Sequence, residues 1–414
     1  MKSNFNINLS KKLIYLYIAL LYFSIHIGFF FEEDFIGGAK ADFITYKNWI
    51  NLFLTDFNYY FFNYDELDER HSPIIIFYFT ILNKLGISEE IIRYVHINIS
   101  FLIFFAFFQC LKLKYKKFNK SILILFASLV FFSPTLRALS IWPDSRIYGL
   151  FFFVLSIYYF LKFEENKKLL NAYLNIITLA IASYISPNFS VFSIFFFYKF
   201  FLYYQFNYKL LEIIILNIFL AIPAFYYLFY LDIMFLFEGG TPGDQTLQGK
   251  IPNRFNFANK ILLISTIIFF YLIPFLITGI VKIKKITFKD YLIASIILIP
   301  CVLLFNYMPT YTGGGIFFHI SYKILNTNIF LYLIFYLSLL IILKICTKNI
   351  TNIVIISLLL LSNIQLTVYH KYYDPLLLIL FLTIFDFKNF SLNINKYLIF
   401  LIYNVIFLGI SIIF

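Results

Sequence analysis

The sequence predicts an all-α, polytopic membrane protein of about 13 transmembrane helices, and three observations predict it. The 414-residue chain is 62% hydrophobic and 13% charged, with a mean hydropathy of +0.85. Soluble chains hold about 45–50% apolar and about 25% charged residues. Its apolar stretches are continuous, as at 13–31, 261–280 and 329–345, and lack the period of two of a strand. Runs of about 20 such residues cross the hydrocarbon as helices, which satisfy their own backbone there. Short lysine clusters separate the runs, as at 112–120 and 282–285.

Each span follows from that pattern. Span one, 13–31, is too long for a cleaved signal and is followed by Phe-Glu-Glu-Asp instead of small residues. The lysines before it set the N-terminus inside by the positive-inside rule, so the next loop lies outside. Residues 73–85 are too short to cross and read as an external interfacial segment. Treating them so leaves the 112–120 lysines inside. The remaining spans are 94–111, 121–141, 147–163, 171–186, 189–205, 210–231, 259–281, 290–308, 326–345, 350–367, 375–386 and 397–414. Together they form one transmembrane domain, residues 1–414, with outer loops at 32–93, 232–258 and 306–325. Loop 232–258 carries a polar Glu-Gly-Gly-Thr-Pro-Gly-Asp turn that could close over a site.

The net charge of +12 does not indicate nucleic acid, because the bases sit in short clusters between spans. Cys110, Cys301 and Cys346 lie in or beside apolar runs, with no spacing for a disulfide framework or thiolate metal site. His26, His71, His96, His319 and His370 show no HxxxH or HExxH spacing. No cofactor is certain. His71, His319 and His370 all map to the outer side, which leaves room for a divalent ion.

The first outer loop holds the chemistry. Nine of the chain's 21 acids fall between residues 32 and 69. Phe43, Tyr46, Ile50, Phe53, Leu54 and Phe57 recur with helical spacing, so 43–57 reads as an amphipathic interfacial helix with Asp42 at its N-cap. A capping carboxylate held at the membrane edge is also a positioned base. Asp34 is the second candidate base, and Glu32 and Glu33 read as a solvated stop to span one. His71-Ser72-Pro73 opens the short external segment. Arg137, Asp144 and Arg146 cluster after span three, either pairing among themselves or binding an anion, since the guanidinium fork fits phosphate. His370, Lys371 and Tyr372 add a cation and a phenol ahead of the 375–386 span, where an aromatic belt is the structural alternative.

These pieces, in this order, resemble the integral-membrane C-type glycosyltransferase superfamily, which includes protein O-mannosyltransferases and bacterial aminoarabinose transferases. The resemblance covers nearly the whole chain and rests on four segments. They are Gly37-Gly-Ala-Lys-Ala-Asp42, His71-Ser-Pro73, Arg137 through Arg146, and Tyr372-Tyr-Asp-Pro375. Two departures stand out: Asp42 is followed by Phe43 where the family often has Asp-Glu, and Ser72-Pro73 replaces its Pro-Pro pair. The resemblance implies interfacial helices and an acidic general base in the first outer loop. It also implies a sugar donor linked to polyprenyl phosphate, a lipid, glycan or protein acceptor, and a site on the outer side of a bacterial cytoplasmic membrane. Bound membrane lipids are expected and nucleic acid is not. A polysaccharide polymerase would use similar outer-face residues but place its large loop late. A lipid-linked sugar transporter would carry charges at mid-membrane and paired halves, neither of which the sequence displays.

Overall fold

The computed structural model describes residues 10–35, 38–67, 72–231, 256–283, 285–308, 313–347, 349–363, 367–387 and 390–413. Loop 232–258 falls almost entirely outside them, and His71 does too. Among the described residues the chain is all-helical, without a strand. Seven helices are long and apolar enough to cross a membrane, or eight if one bent pair is a single span. This is a helical multi-pass membrane protein.

α1 (Lys11–Phe30) is the first candidate span. The acidic loop that follows folds into α2 (Ala39–Thr55), α3 (Phe57–Phe62) and α4 (Ile74–Lys84). α5 (Glu89–His96) then runs into α6 (Asn98–Lys114). α7 (Lys120–Ser128) continues through a 3-10 turn and bends by 66° into α8 (Pro134–Ile141). α9 (Ser145–Asn166), α10 (Leu169–Ile185), α11 (Phe192–Tyr204) and α12 (Tyr208–Phe229) complete the first half. The second half holds α13 (Phe257–Ile277), α14 (Phe288–Leu303), the short α15 (Gly315–His319), α16 (Ile329–Cys346), α17 (Ile350–Leu361), α18 (Leu376–Thr383) and α19 (Ile394–Ile413).

Every stretch expected to span contains a helix, but six of the thirteen fall short of the length and apolarity of an unbroken crossing. Two differences have clear causes. The 121–141 run is not one rod, because Ser133-Pro134 restarts it: proline fits the first turn of a new helix but breaks the ladder of the old one. The 375–386 run yields only the eight residues of α18, all buried. A helix apolar on every side belongs in the interior, and α18 is wedged against α6, α9 and α13.

The loop before α5 forms its own small core. Tyr46, Ile50 and Phe53 of α2 meet Ile75, Ile76 and Phe79 of α4. Ala39 and Phe43 point from the same α2 face into the main core. The expected apolar stripe is therefore present as far as Phe53, but the helix ends at Thr55. Asp56 stops it and caps α3, accepting from the Tyr59 amide at 2.9 Å. The loop leaves and returns at one end of the bundle: Ser72 Oγ donates to the Tyr184 carbonyl (2.8 Å), and His96 Nε2 lies 2.8 Å from the Leu139 carbonyl oxygen.

Exposed Asp65, ahead of α4, and exposed Lys116 are then expected on opposite sides of the membrane. Single Asp65→Cys and Lys116→Cys proteins, with half-buried Cys346 replaced by alanine, should label from opposite sides with an impermeant maleimide. Labelling of both from one side would overturn the assignment of 74–84 as a non-crossing segment.

Candidate functional site

Four segments distant in sequence converge at the acidic end of the bundle: the start of α2, the turn before α9, the α8 terminus, and the loop 367–375. Capping decides what each acid there is free to do. A helix leaves its first amides unsatisfied, and a side-chain oxygen that accepts from them stabilises the helix by roughly 1 kcal/mol.

Asp34 spends its carboxylate in this way. Its oxygens accept from the amides of Gly38, Ala39 and Lys40 at 3.1–3.2 Å, closing the first turn of α2. Gly38 takes the N-cap position with φ +102°, a left-handed conformation natural for glycine. The cap therefore belongs to Asp34, and Asp42 lies one turn inside the helix. The sequence expectation of Asp42 at the N-cap is corrected here, because Gly38 takes that position and the helix starts at Ala39. Asp144 caps α9, accepting the Arg146 amide at 2.7 Å. Asp374 is buried at the α8 terminus and accepts from the Ser133 hydroxyl (2.5 Å) and the Thr135 amide (3.0 Å). Burial pushes the Asp374 carboxyl above its usual range, against the pull of those hydrogen bonds.

Asp42 is the exception. Its Oδ2 meets Arg146 Nη2 at 2.5 Å and Lys371 Nζ at 3.1 Å, and its side chain stays 38% exposed. Arg146 also grips Asp144 through Nε (2.9 Å) and Nη2 (2.8 Å), and its guanidinium carbon lies 5.4 Å from the Tyr372 ring centre. Burial would raise the Asp144 carboxyl, but the charge and hydrogen bonds of Arg146 override it and hold the group well below the usual range. Lys371 is lowered, first by burial and then by Arg146, while Asp42 and Asp144 oppose the shift. Two cations and two anions thus balance, with one anion reachable from outside.

A crevice opens directly beneath. Arg146, Lys371, Tyr372 and Asp374 line it together with Thr135, Ser186, Asn188, Ser362 and Asn363, over an apolar wall of Leu136, Leu139, Ile147 and Phe189. Its cavity volume is only about 40 Å³. It is narrow. An anion at its mouth would meet two cationic groups, and a hydroxyl brought beside it would meet Asp42.

The other nominated residues lie elsewhere. Arg137 turns away and locks onto Glu33, Nε–Oε1 2.5 Å and Nη2–Oε2 2.7 Å, with Ser24 accepting from Nη1 at 2.9 Å. Both side chains of this pair are under 10% exposed. The expectations of Arg137 as an anion ligand and Glu33 as a solvated stop are both corrected: the fork is already filled by a buried carboxylate. Glu33 reaches it by folding back over Gly28, where a Cβ would collide with its carboxylate. His370 Nε2 pairs with the Tyr271 hydroxyl at 3.1 Å, and burial drives the imidazole down to about 3, so it is neutral and not a cation for an anionic ligand. His71 lies outside the described residues. Among the described residues no three His, Cys, Asp or Glu side chains gather to hold a metal ion.

Sequence reading named Glu33 only as a solvated stop and gave Ser133 and Asp374 no role of their own. Ser133-Pro134 carried a signal, since a hydroxyl residue before a proline marks a helix start. Compared with family models, curated proteins and solved structures, the chain matches none.

Removing one partner of a buried ion pair leaves an uncompensated charge, which costs about 3–5 kcal/mol. Glu33→Gln and Arg137→Ala should therefore each lower the melting temperature sharply, whereas Glu32→Gln on the exposed Lys40 pair should barely move it. Equal small effects at Glu32 and Glu33, measured by thermal unfolding in detergent, would contradict a structural Glu33–Arg137 pair.

Proposed function

We propose that this protein is a membrane glycosyltransferase that moves a sugar from a polyprenyl-phosphate-linked donor to a lipid, glycan or protein hydroxyl. One observation carries the reading. Of the four aspartates at this end of the bundle, Asp34, Asp144 and Asp374 accept backbone amides, and Asp42 alone is held only by side-chain cations, those of the crevice residues Arg146 and Lys371, with its side chain 38% exposed. The segmental resemblance to the C-type glycosyltransferase superfamily points to the same residue. In this reading the acidic end faces the outer side of a bacterial cytoplasmic membrane, and the chain crosses up to about 13 times.

The chemistry follows from the charges. The donor phosphate binds between Arg146 and Lys371, drawing both cations from Asp42 Oδ2. That frees the carboxylate oxygens to accept the proton of the incoming hydroxyl. The hydroxyl oxygen bonds to the anomeric carbon as the bond from that carbon to the phosphate oxygen breaks. The electron pair leaves on the polyprenyl phosphate, whose new charge Arg146 and Lys371 balance. The proton rests on Asp42 until solvent removes it. Tyr372 backs the Arg146 guanidinium, and Asp144 fixes its direction through two hydrogen bonds. A crevice this narrow would have to open at Asp42 to admit a sugar, and the lipid tail would stay in the bilayer.

The test is transfer from a polyprenyl-phosphate sugar by purified protein in nanodiscs, with thermal stability recorded for every variant. Asp42→Asn should cut turnover by about 10²–10⁴-fold. Arg146→Lys should also be damaging, because a point charge does not replace the fork shared by Asp42 and Asp144. Asp34→Asn, which still accepts amide hydrogens, should retain most activity. A stable Asp42→Asn protein with near-normal turnover would reject Asp42 as the base, and loss confined to Asp34→Asn would move that role there.

A further inference from the structure

A second cavity lies at the opposite end of α1, remote from Asp42. There α1 and α6 part over α7 and leave a groove of about 790 Å³. The walls follow helical spacing, with Ile14, Ile18 and Tyr22 on α1 facing Phe101, Phe105 and Phe108 on α6. The groove closes where the helices converge: Tyr22 donates to Asn98 Oδ1 at 2.7 Å and its ring centre lies 5.3 Å from that of Phe101. Its open end carries three lysines from three helices, Lys11, Lys112 and Lys120. All three are exposed, and among the described residues none is within ion-pair distance of an acid. Lys112 donates to the neutral Gln109 Oε1 at 3.3 Å.

We infer that this groove holds one anionic phospholipid, an acyl chain along the aromatic wall and the phosphate among the three ammonium groups. Charge and length both favour that occupant. From Lys11 to Tyr22 the wall rises about 16 Å at 1.5 Å per residue, close to one leaflet of a hydrocarbon core about 30 Å thick. A single-leaflet lipid fits from the lysine end to the Tyr22 closure, whereas a polyprenyl chain would outrun it. Lysines at the end of an apolar slot snorkel toward the interface and attract anionic headgroups there. The occupant would also add packing to α1, of whose spanning window 28% is buried in protein.

The experiment uses full-length purified protein, delipidated in detergent and titrated with phosphatidylglycerol, phosphatidylcholine or a polyprenyl phosphate. Native mass spectrometry counts bound lipid, and the melting temperature is followed in parallel. Wild type should prefer phosphatidylglycerol over phosphatidylcholine and gain thermal stability on binding it. The Lys11→Gln/Lys112→Gln/Lys120→Gln variant should lose that preference on the order of 100-fold, roughly fivefold per lysine. Ala19→Trp, at an exposed α1 position lining the groove, should block binding without altering charge. Equal binding of the two phospholipids by wild type, or an intact preference in the triple-lysine variant, would overturn the site. Phosphatidylglycerol binding undiminished by Ala19→Trp would place the lipid elsewhere and also overturn it. Displacement of phosphatidylglycerol by lower concentrations of polyprenyl phosphate would overturn the choice of occupant.

Discussion

Ionised groups among apolar helices must be paired, and that constraint shapes the whole acidic end of this molecule. Arg146 and Lys371 can sit at 14% and 12% exposure because Asp42 and Asp144 stand against them. The pairing joins three elements far apart in sequence: the surface helix α2, the start of α9, and the loop before α18. Arg137 and Glu33 repeat the solution one layer away, fastening the end of α1 to α8. The site is thus also a clasp. Whatever chemistry uses these cations must exchange partners without leaving a charge bare.

Capping divides the acids with unusual economy. A carboxylate that accepts from backbone amides is tied to a helix start and cannot move without fraying it, which suits Asp34, with three amides, and Asp144 and Asp374, with one each, to holding geometry. Asp374 also anchors the loop that presents Lys371, since its hold on Ser133 and Thr135 sets where that loop meets the bent α7–α8 pair. Asp42 has only flexible side chains as partners. It can change hands, and that difference is physical, not positional.

Composition made the helical membrane class legible, because unbroken apolar runs admit few other solutions. The α2 stripe was legible for the same reason, through Phe43, Tyr46, Ile50 and Phe53. The elements Arg146, Lys371 and Asp42 could be nominated from their costly placement beside apolar segments, but not joined. Separations of 104 and 329 residues leave no local signal. Arg137 shows the limit most clearly. Its residue type and neighbourhood matched those of Arg146, and only the path of Glu33 back over Gly28 separates a filled fork from one facing a crevice. The eight-residue α18 was equally hidden, since an apolar run looks alike whether lipid or protein surrounds it. Helix number within a membrane is likewise set by where breaks such as Ser133-Pro134 fall, and these turn on a few residues.

The long separation between Asp42 and Lys371 has a consequence for biosynthesis. At about 5–20 residues per second, Lys371 is made on the order of 15–65 s after Asp42. Arg146 follows Asp42 by about 5–20 s, and from then on the two can meet, but the second cation does not yet exist. The nascent chain therefore carries a half-built cluster, and the last segments to emerge complete it. Ribosome stalling or truncation before residue 371 would leave most of the helices made and this one junction open, a defect that quality-control proteases could recognise by its unshielded charge.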